Sequence, residues 1–138
     1  MTTIAPVLAE QFAADWIDAW NAHDLDRVLA HYSGDFEMSS PIIVDMLGED
    51  SGMLRGKGAV RGYWAKALAR FPDLHFELLS VLAGVRSLTL YYRGAGGRLV
   101  AEVFHFDDAG KVYRAFAHYS VRPASHAAEP VEAASSLP

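Results

Sequence analysis

The sequence predicts an α+β domain in which helices pack on one face of a curved antiparallel sheet. Three observations carry that expectation. Apolar residues recur at three- and four-residue intervals only in the first half of the chain. After Pro72, apolar runs are separated by short turns containing Gly or Asp. The composition, 51% hydrophobic and 21% charged over 138 residues, is that of a globular protein and excludes a disordered chain. A chain of this length corresponds to one domain and builds a core without covalent staples.

Leu8, Phe12, Trp16 and Trp20 recur every four residues with Ile17 beside them, while Glu10, Asp15 and Asp18 lie off that row. Residues 7–21 are therefore expected as an amphipathic helix with an aromatic buried stripe. Asp24 then stands as N-cap of a short second helix, whose inward row is Leu25, Val28, Leu29 and Tyr32. Ser33, Gly34 and Asp35 break it. Residues 36–40 read as a short strand halted by Pro41. Residues 42–52 read as a long loop over a pocket mouth, and the stretch 42–54 is too apolar to be free and suits a lid or a dimer contact. A brief strand is expected at 53–55. A third helix follows at 57–71, where Val60, Tyr63, Trp64, Ala67, Leu68 and Phe71 recur by three and four; Pro72 ends it. Strands are expected at 74–83, 87–93, 99–106 and 112–121, and tight turns between consecutive strands imply an antiparallel meander. Residues 123–138 are rich in Ala, Ser and Pro and are expected as a disordered tail. That leaves one domain over residues 1–122.

Composition removes several function classes. There is no cysteine, so disulfides, thiolate zinc sites and cysteine nucleophiles are excluded. Twelve basic against seventeen acidic residues give a formal charge of −5 without a basic cluster, which argues against nucleic acid as a partner. No apolar run approaches the ~18 residues of a membrane span. The start, Met-Thr-Thr-Ile-Ala-Pro, lacks a basic region and a long apolar stretch, so a cytoplasmic protein is expected.

The segment Trp16-Ile-Asp-Ala-Trp-Asn-Ala-His-Asp-Leu-Asp26 resembles the opening helix pair of the nuclear transport factor 2-like superfamily, nearest its SnoaL-like and ketosteroid-isomerase-like branches. Asp35-Phe36, Ser40-Pro41, Gly56 to Arg61, Pro72 to Leu74 and Phe106 to Lys111 match further landmarks in the same order, over roughly residues 7–121. The resemblance implies a cone: a strongly curved sheet wrapped around three helices, with a deep apolar pocket and usually a homodimer. It implies no single activity, because function lives in the site and not in the fold.

Glu102 is the leading candidate for chemistry. Alternation along residues 99–106 puts Val100, Glu102, Phe104 and Phe106 on one face. A carboxyl among such neighbours resists ionisation, and a neutral acid can donate a hydrogen bond to a developing oxyanion. Ketosteroid isomerase uses an aspartic acid in this way, and by resemblance Glu102 falls at its position. The simpler alternative is a strand-edge glutamate that reaches solvent or pairs with an arginine. The remaining isomerase machinery does not carry over: by resemblance the general-base aspartate is replaced by Ser40 and the oxyanion-hole tyrosine by Trp16. Serine shuttles no proton near neutrality without a base beside it. The Asp-Arg-Asp set of the superfamily's epoxide hydrolases is not evident, with Arg55 and Arg114 the available arginines. Where polyketide cyclases carry an aspartate on the last strand, this chain offers His118 and Tyr119.

If Phe106 pairs near Lys111, Glu102 faces Ala115 with Tyr113 and Ala117 diagonal to it. Resemblance puts Ala115, Ala117 and Tyr119 in the pocket wall and turns His118 towards a possible dimer face, where Arg114 and Phe116 alternate with it. On that register His105 and His118 are too far apart to share an ion, so neither a metal nor any other cofactor is expected. Trp16 and Tyr63 are the aromatics chosen to line the cavity, alongside Ser40, Val100 and Phe104. Two functions fit. One is a pocket protein that binds a small apolar, carbonyl-bearing molecule; the other is an isomerase- or cyclase-type enzyme with Glu102 as acid or oxyanion donor and Tyr119 assisting.

Overall fold

A computed structural model describes residues 3–122, and the expected tail at 123–138 lies outside the described residues. Four helices, α1 (Pro6–Asn21), α2 (Leu25–Leu29), α3 (Pro41–Leu47) and α4 (Lys57–Arg70), accompany six strands. The strands are β1 (Tyr32–Ser39), β2 (Met53–Arg55), β3 (Glu77–Gly84), β4 (Ser87–Arg93), β5 (Leu99–Phe106) and β6 (Val112–Tyr119). They form one open, curved sheet in the order β2-β1-β6-β5-β4-β3, an α+β architecture. The meander β3-β4-β5-β6 is antiparallel as expected, and β1 joins its far edge in parallel to β6.

Local signals set these boundaries. The side chain of Asp24 accepts a hydrogen bond from the Arg27 amide and caps α2. Pro41, expected only to stop a strand, instead opens a helix that replaces the expected loop. Ser40 is its N-cap, with Oγ accepting from the Ile42 amide at 3.1 Å, and Pro41 sits in the first turn, where no amide hydrogen is needed. Gly48 closes α3 at φ 68°, a left-handed conformation that glycine adopts without strain. The described residues thus hold four helices and not three. Tyr32 leaves α2 and opens β1, which runs through Ser33–Gly34–Asp35 by way of a register irregularity. The third expected helix stops one residue early at Arg70, and the strand expected from Leu74 begins at Glu77.

The core lies between the concave sheet face and the helices. From α1 it receives Ala13, Trp16, Ala19 and Trp20; Leu8, expected on the same stripe, is 53% exposed near the start of the helix. Aromatic rings fill the centre: Trp16 makes edge contacts with Tyr92 and Phe104, at 5.4 and 5.2 Å between centroids, and stacks on Phe76. The β5–β6 register differs from expectation by two residues: Phe106 stands opposite Val112 and not Lys111, and the irregularity between His105 and Phe106 adds the second. Glu102 therefore stands opposite Ala117, and Phe104 opposite Ala115. A two-residue shift leaves every side chain on its expected face.

Candidate functional site

Glu102 reaches the interior because β5 alternates strictly: Val100, Glu102, Phe104 and Phe106 are buried, and their neighbours are half-buried. It is one of two polar residues in the buried core, the other being Ser40. Tyr92 on β4 donates its hydroxyl to Glu102 Oε1 at 2.8 Å. No arginine, lysine or histidine among the described residues pairs with it. Burial therefore dominates and pushes its carboxyl up to about 7, with the Tyr92 hydrogen bond pulling weakly the other way.

Four phenols surround this carboxyl and register its charge. Tyr32 and Tyr92 are wholly buried and raised well above the ordinary range, first by burial and then by Glu102. Tyr32 accepts a 2.9 Å hydrogen bond from Trp16 Nε1. Burial raises Tyr63 to about 12, partly offset by a hydrogen bond with Ser40, and Tyr119 is raised in the same manner. Near neutrality all four remain protonated, so Glu102 is the group in this cluster that titrates in that range.

Glu102 borders a partly open cavity of about 140 Å³ whose lining includes Trp16, Trp20, Tyr63, Trp64, Phe76, Tyr92, Val100 and Tyr119, together with Ile42 and Met46 of α3 and Arg98. For scale, an apolar cavity of ~150 Å³ accommodates benzene. Outside it lies a wider depression, shaped by the 71–77 segment and the 93–97 turn, which shares Phe71, Leu74, Gly94 and Ala95 with the cavity. The depression is larger, at about 530 Å³, but it is open and lined by surface groups such as Arg70, Asp73 and His75. The buried carboxyl borders the inner space and not the depression.

Of the residues anticipated from sequence, Trp16, Tyr63, Val100, Glu102 and Tyr119 line this cavity together. Ser40 sits behind it, against the Tyr63 and Tyr119 phenols. Phe104, Ala115 and Ala117 are buried but do not line it; Phe104 is packed against Phe12 and Trp16, and the two alanines back β5 from β6. Tyr92, Trp20 and Arg98 were not anticipated, and Ile42 and Met46 were expected only within a loop over the pocket mouth. Alternation along β4, with Leu88, Leu90 and Tyr92 buried in turn, was the available signal for Tyr92. Carrying the β5 alternation back by two residues from Val100 would have reached Arg98.

The other candidates lie elsewhere. Arg55 and Arg114 flank Glu37 on the outer sheet face, where both pair with it. His31 bonds to Asp15 at 2.7 Å, and His23 Nε2 lies 2.9 Å from the Leu74 carbonyl. His105 and His118 stand on the outer face, opposite Arg114 and Ala101 respectively. Among the described residues no group of three or more potential ligands is arranged to hold a metal ion, and no helix is long and apolar enough to cross a membrane.

Comparison with known proteins agrees with this architecture. The SnoaL-like domain family matches residues 13–123. A SnoaL-like protein of unknown function from Burkholderia thailandensis is 57% identical, with a TM-score of 0.83 over 85% of this chain and 98% of that one. AclR of Streptomyces galilaeus, assigned only provisionally as a hydroxylase, is 19% identical with a TM-score of 0.66, covering 94% of this chain and 95% of its own. A nuclear transport factor 2-like protein of unknown function from Cytophaga hutchinsonii is 12% identical, with a TM-score of 0.61 over 83% of this chain and 92% of that one. No curated protein matches. The chain belongs to the SnoaL-like domain family, and its fold is like that of the nuclear transport factor 2-like protein.

Proposed function

We propose that this SnoaL-like protein binds a small, largely apolar, carbonyl-bearing molecule in the inner cavity, with Glu102 as the neutral acid that donates to the carbonyl. One observation carries the reading. The carboxyl of Glu102 is buried without a cationic partner and borders a space walled by aromatic rings. A purely structural core would place an apolar side chain there, since burying an unpaired carboxyl is unfavourable. Retained acids of this kind are candidate functional groups.

Trp16, Trp20 and Trp64 line the cavity and make binding visible as a change in tryptophan fluorescence. Titration with small aryl ketones and their matching hydrocarbons should show tighter binding of the ketones, and Glu102→Ala should remove that preference. Equal binding of both series by the wild-type protein would overturn the role given to Glu102. Absence of binding by either would overturn the cavity as a ligand site.

The same carboxyl supports a second reading, an isomerase- or cyclase-type enzyme. A group titrating near 7 can give or accept a proton at working pH, and Tyr119 lines the same cavity. Ser40 supplies no base, which favours binding over turnover. Mass spectrometry of a bound ketone after long incubation separates the two: recovery unchanged supports binding, and a rearranged product supports the enzyme.

We also propose a homodimer formed through the outer face of β5 and β6, where half-buried Phe116 stands between exposed Arg114 and His118. Light scattering should give twice the chain mass at micromolar concentration; a single-chain mass would refute it.

A further inference from the structure

We propose that the cavity's ligand is an anion: a ring-sized apolar body that carries a carboxylate, held by Arg98 while the body extends towards Glu102. This rests on the inner cavity being a ligand site, and it adds the ligand's charge and orientation. Arg98, Val100 and Glu102 follow one another at two-residue intervals, and all three line the cavity. At ~3.3 Å per residue, the Arg98 and Glu102 backbones stand roughly 13 Å apart along one face. The cavity therefore has a cationic end and an acid end.

Arg98 differs from most of the other arginines. Arg27, Arg55, Arg61, Arg86, Arg93 and Arg114 each pair with a carboxylate. Arg98 has no carboxylate within ion-pairing distance among the described residues. Its guanidinium is nevertheless fixed: Nη2 donates to the Ser120 carbonyl at 3.0 Å, and the group lies over the Tyr119 ring, 5.0 Å from its centroid. Its Nε is buried without an acceptor. A positioned guanidinium with an unused buried donor matches the planar, acceptor-rich geometry of a carboxylate.

A second observation points the same way. Trp20 Nε1, on another wall of the cavity, is also buried without an acceptor, in a residue only 5% exposed. The lining is rich in donors and poor in acceptors, so it suits a ligand that brings acceptors. The cavity volume limits the body to about one six-membered ring, as the benzene comparison indicates. Charge belongs at the Arg98 end, because Arg98 is half-buried whereas Glu102 is only 4% exposed. A carboxylate beside Arg98 keeps part of its hydration; one beside Glu102 would lose it and meet an acid that is already costly to ionise.

The test uses the full chain in mildly acidic buffer, where Glu102 is neutral, with tryptophan fluorescence as readout. The probes are 3-phenylpropanoate and its neutral counterpart 3-phenylpropanamide. Wild-type protein should bind the carboxylate at least about tenfold more tightly, as expected of one charge-assisted contact. Arg98→Met keeps the apolar stem and should abolish the preference, weakening the carboxylate far more than the amide; Arg98→Lys should keep part of it. Thermal melting of each variant verifies folding. Equal binding of both probes by wild type, or a preference that survives Arg98→Met, would overturn the anionic ligand and leave the cavity intact as a binding site. If neither probe binds, the cavity reading falls as well.

Discussion

Glu37 and Glu102 lie on opposite faces of one sheet and show what a strand does with the same side chain in two settings. On the outer face, Glu37 sits between cross-strand neighbours Arg55 and Arg114 and pairs with both, its side chain 20% exposed. On the inner face, Glu102 has no cation and takes one hydrogen bond from Tyr92. The first arrangement is ordinary surface charge pairing and contributes little to stability. The second holds a polar group in a space that hydrocarbon would fill more favourably, which suits a function better than it suits folding. The contrast teaches that residue type alone does not mark a site; the absence of a partner does.

The largest expected effect is on the inner face. Phe104→Ala empties a position packed against Phe12 and Trp16 and should destabilise by about 3–5 kcal/mol, read by denaturant unfolding. A loss under ~1 kcal/mol would mean that this face is loosely packed and the contrast with the outer face is overstated.

Glu102→Gln comes next, and its effect depends on pH. The folded carboxyl at about 7 lies above its ordinary value of 4.5, so the protein binds its proton more tightly when folded. The associated stability is fully present below 4.5 and is lost as pH climbs from there through 7. The loss amounts to about 3 kcal/mol once the group is ionised. Glutamine keeps the shape and an acceptor for Tyr92 without titrating. Wild type and variant should therefore melt alike in acid, and the variant should become progressively the more stable between pH 4.5 and 7, with the full difference above 7. Parallel melting curves at every pH would place Glu102 with Glu37.

Tyr32→Phe is intermediate. It leaves Trp16 Nε1 buried without its acceptor, which should lower stability by about 1–3 kcal/mol in denaturant unfolding, with no change in its pH dependence. Glu37→Gln is the smallest. Its pairs are partly exposed and should contribute under ~1 kcal/mol, falling further as salt is raised. A loss of several kcal/mol there would break the comparison outright.

The inner face was legible in the sequence because alternation is a rigid rule: Val100, Glu102, Phe104 and Phe106 had to share a face whatever the register. Register itself was not legible. The pairing of Phe106 with Val112 and the irregularity beside it are properties of the hairpin, and together they moved Glu102 from Ala115 to Ala117. Ser40-Pro41 was misread because proline both ends strands and begins helices, and only the capping geometry of Ser40 decides between them. Tyr92 and Arg98 were missed for a related reason. Their importance lies in what Tyr92 bonds to and what Arg98 lacks, and neither is visible along a single strand.

The central claim is that Glu102 is a buried acid beside the cavity that keeps its proton until pH approaches 7. Carbon-13 NMR of the glutamate side-chain carboxyls, with Glu102 assigned by its disappearance in Glu102→Gln, tests it directly. The account predicts a midpoint near 7 for that one resonance. A midpoint near the ordinary glutamate value would contradict it.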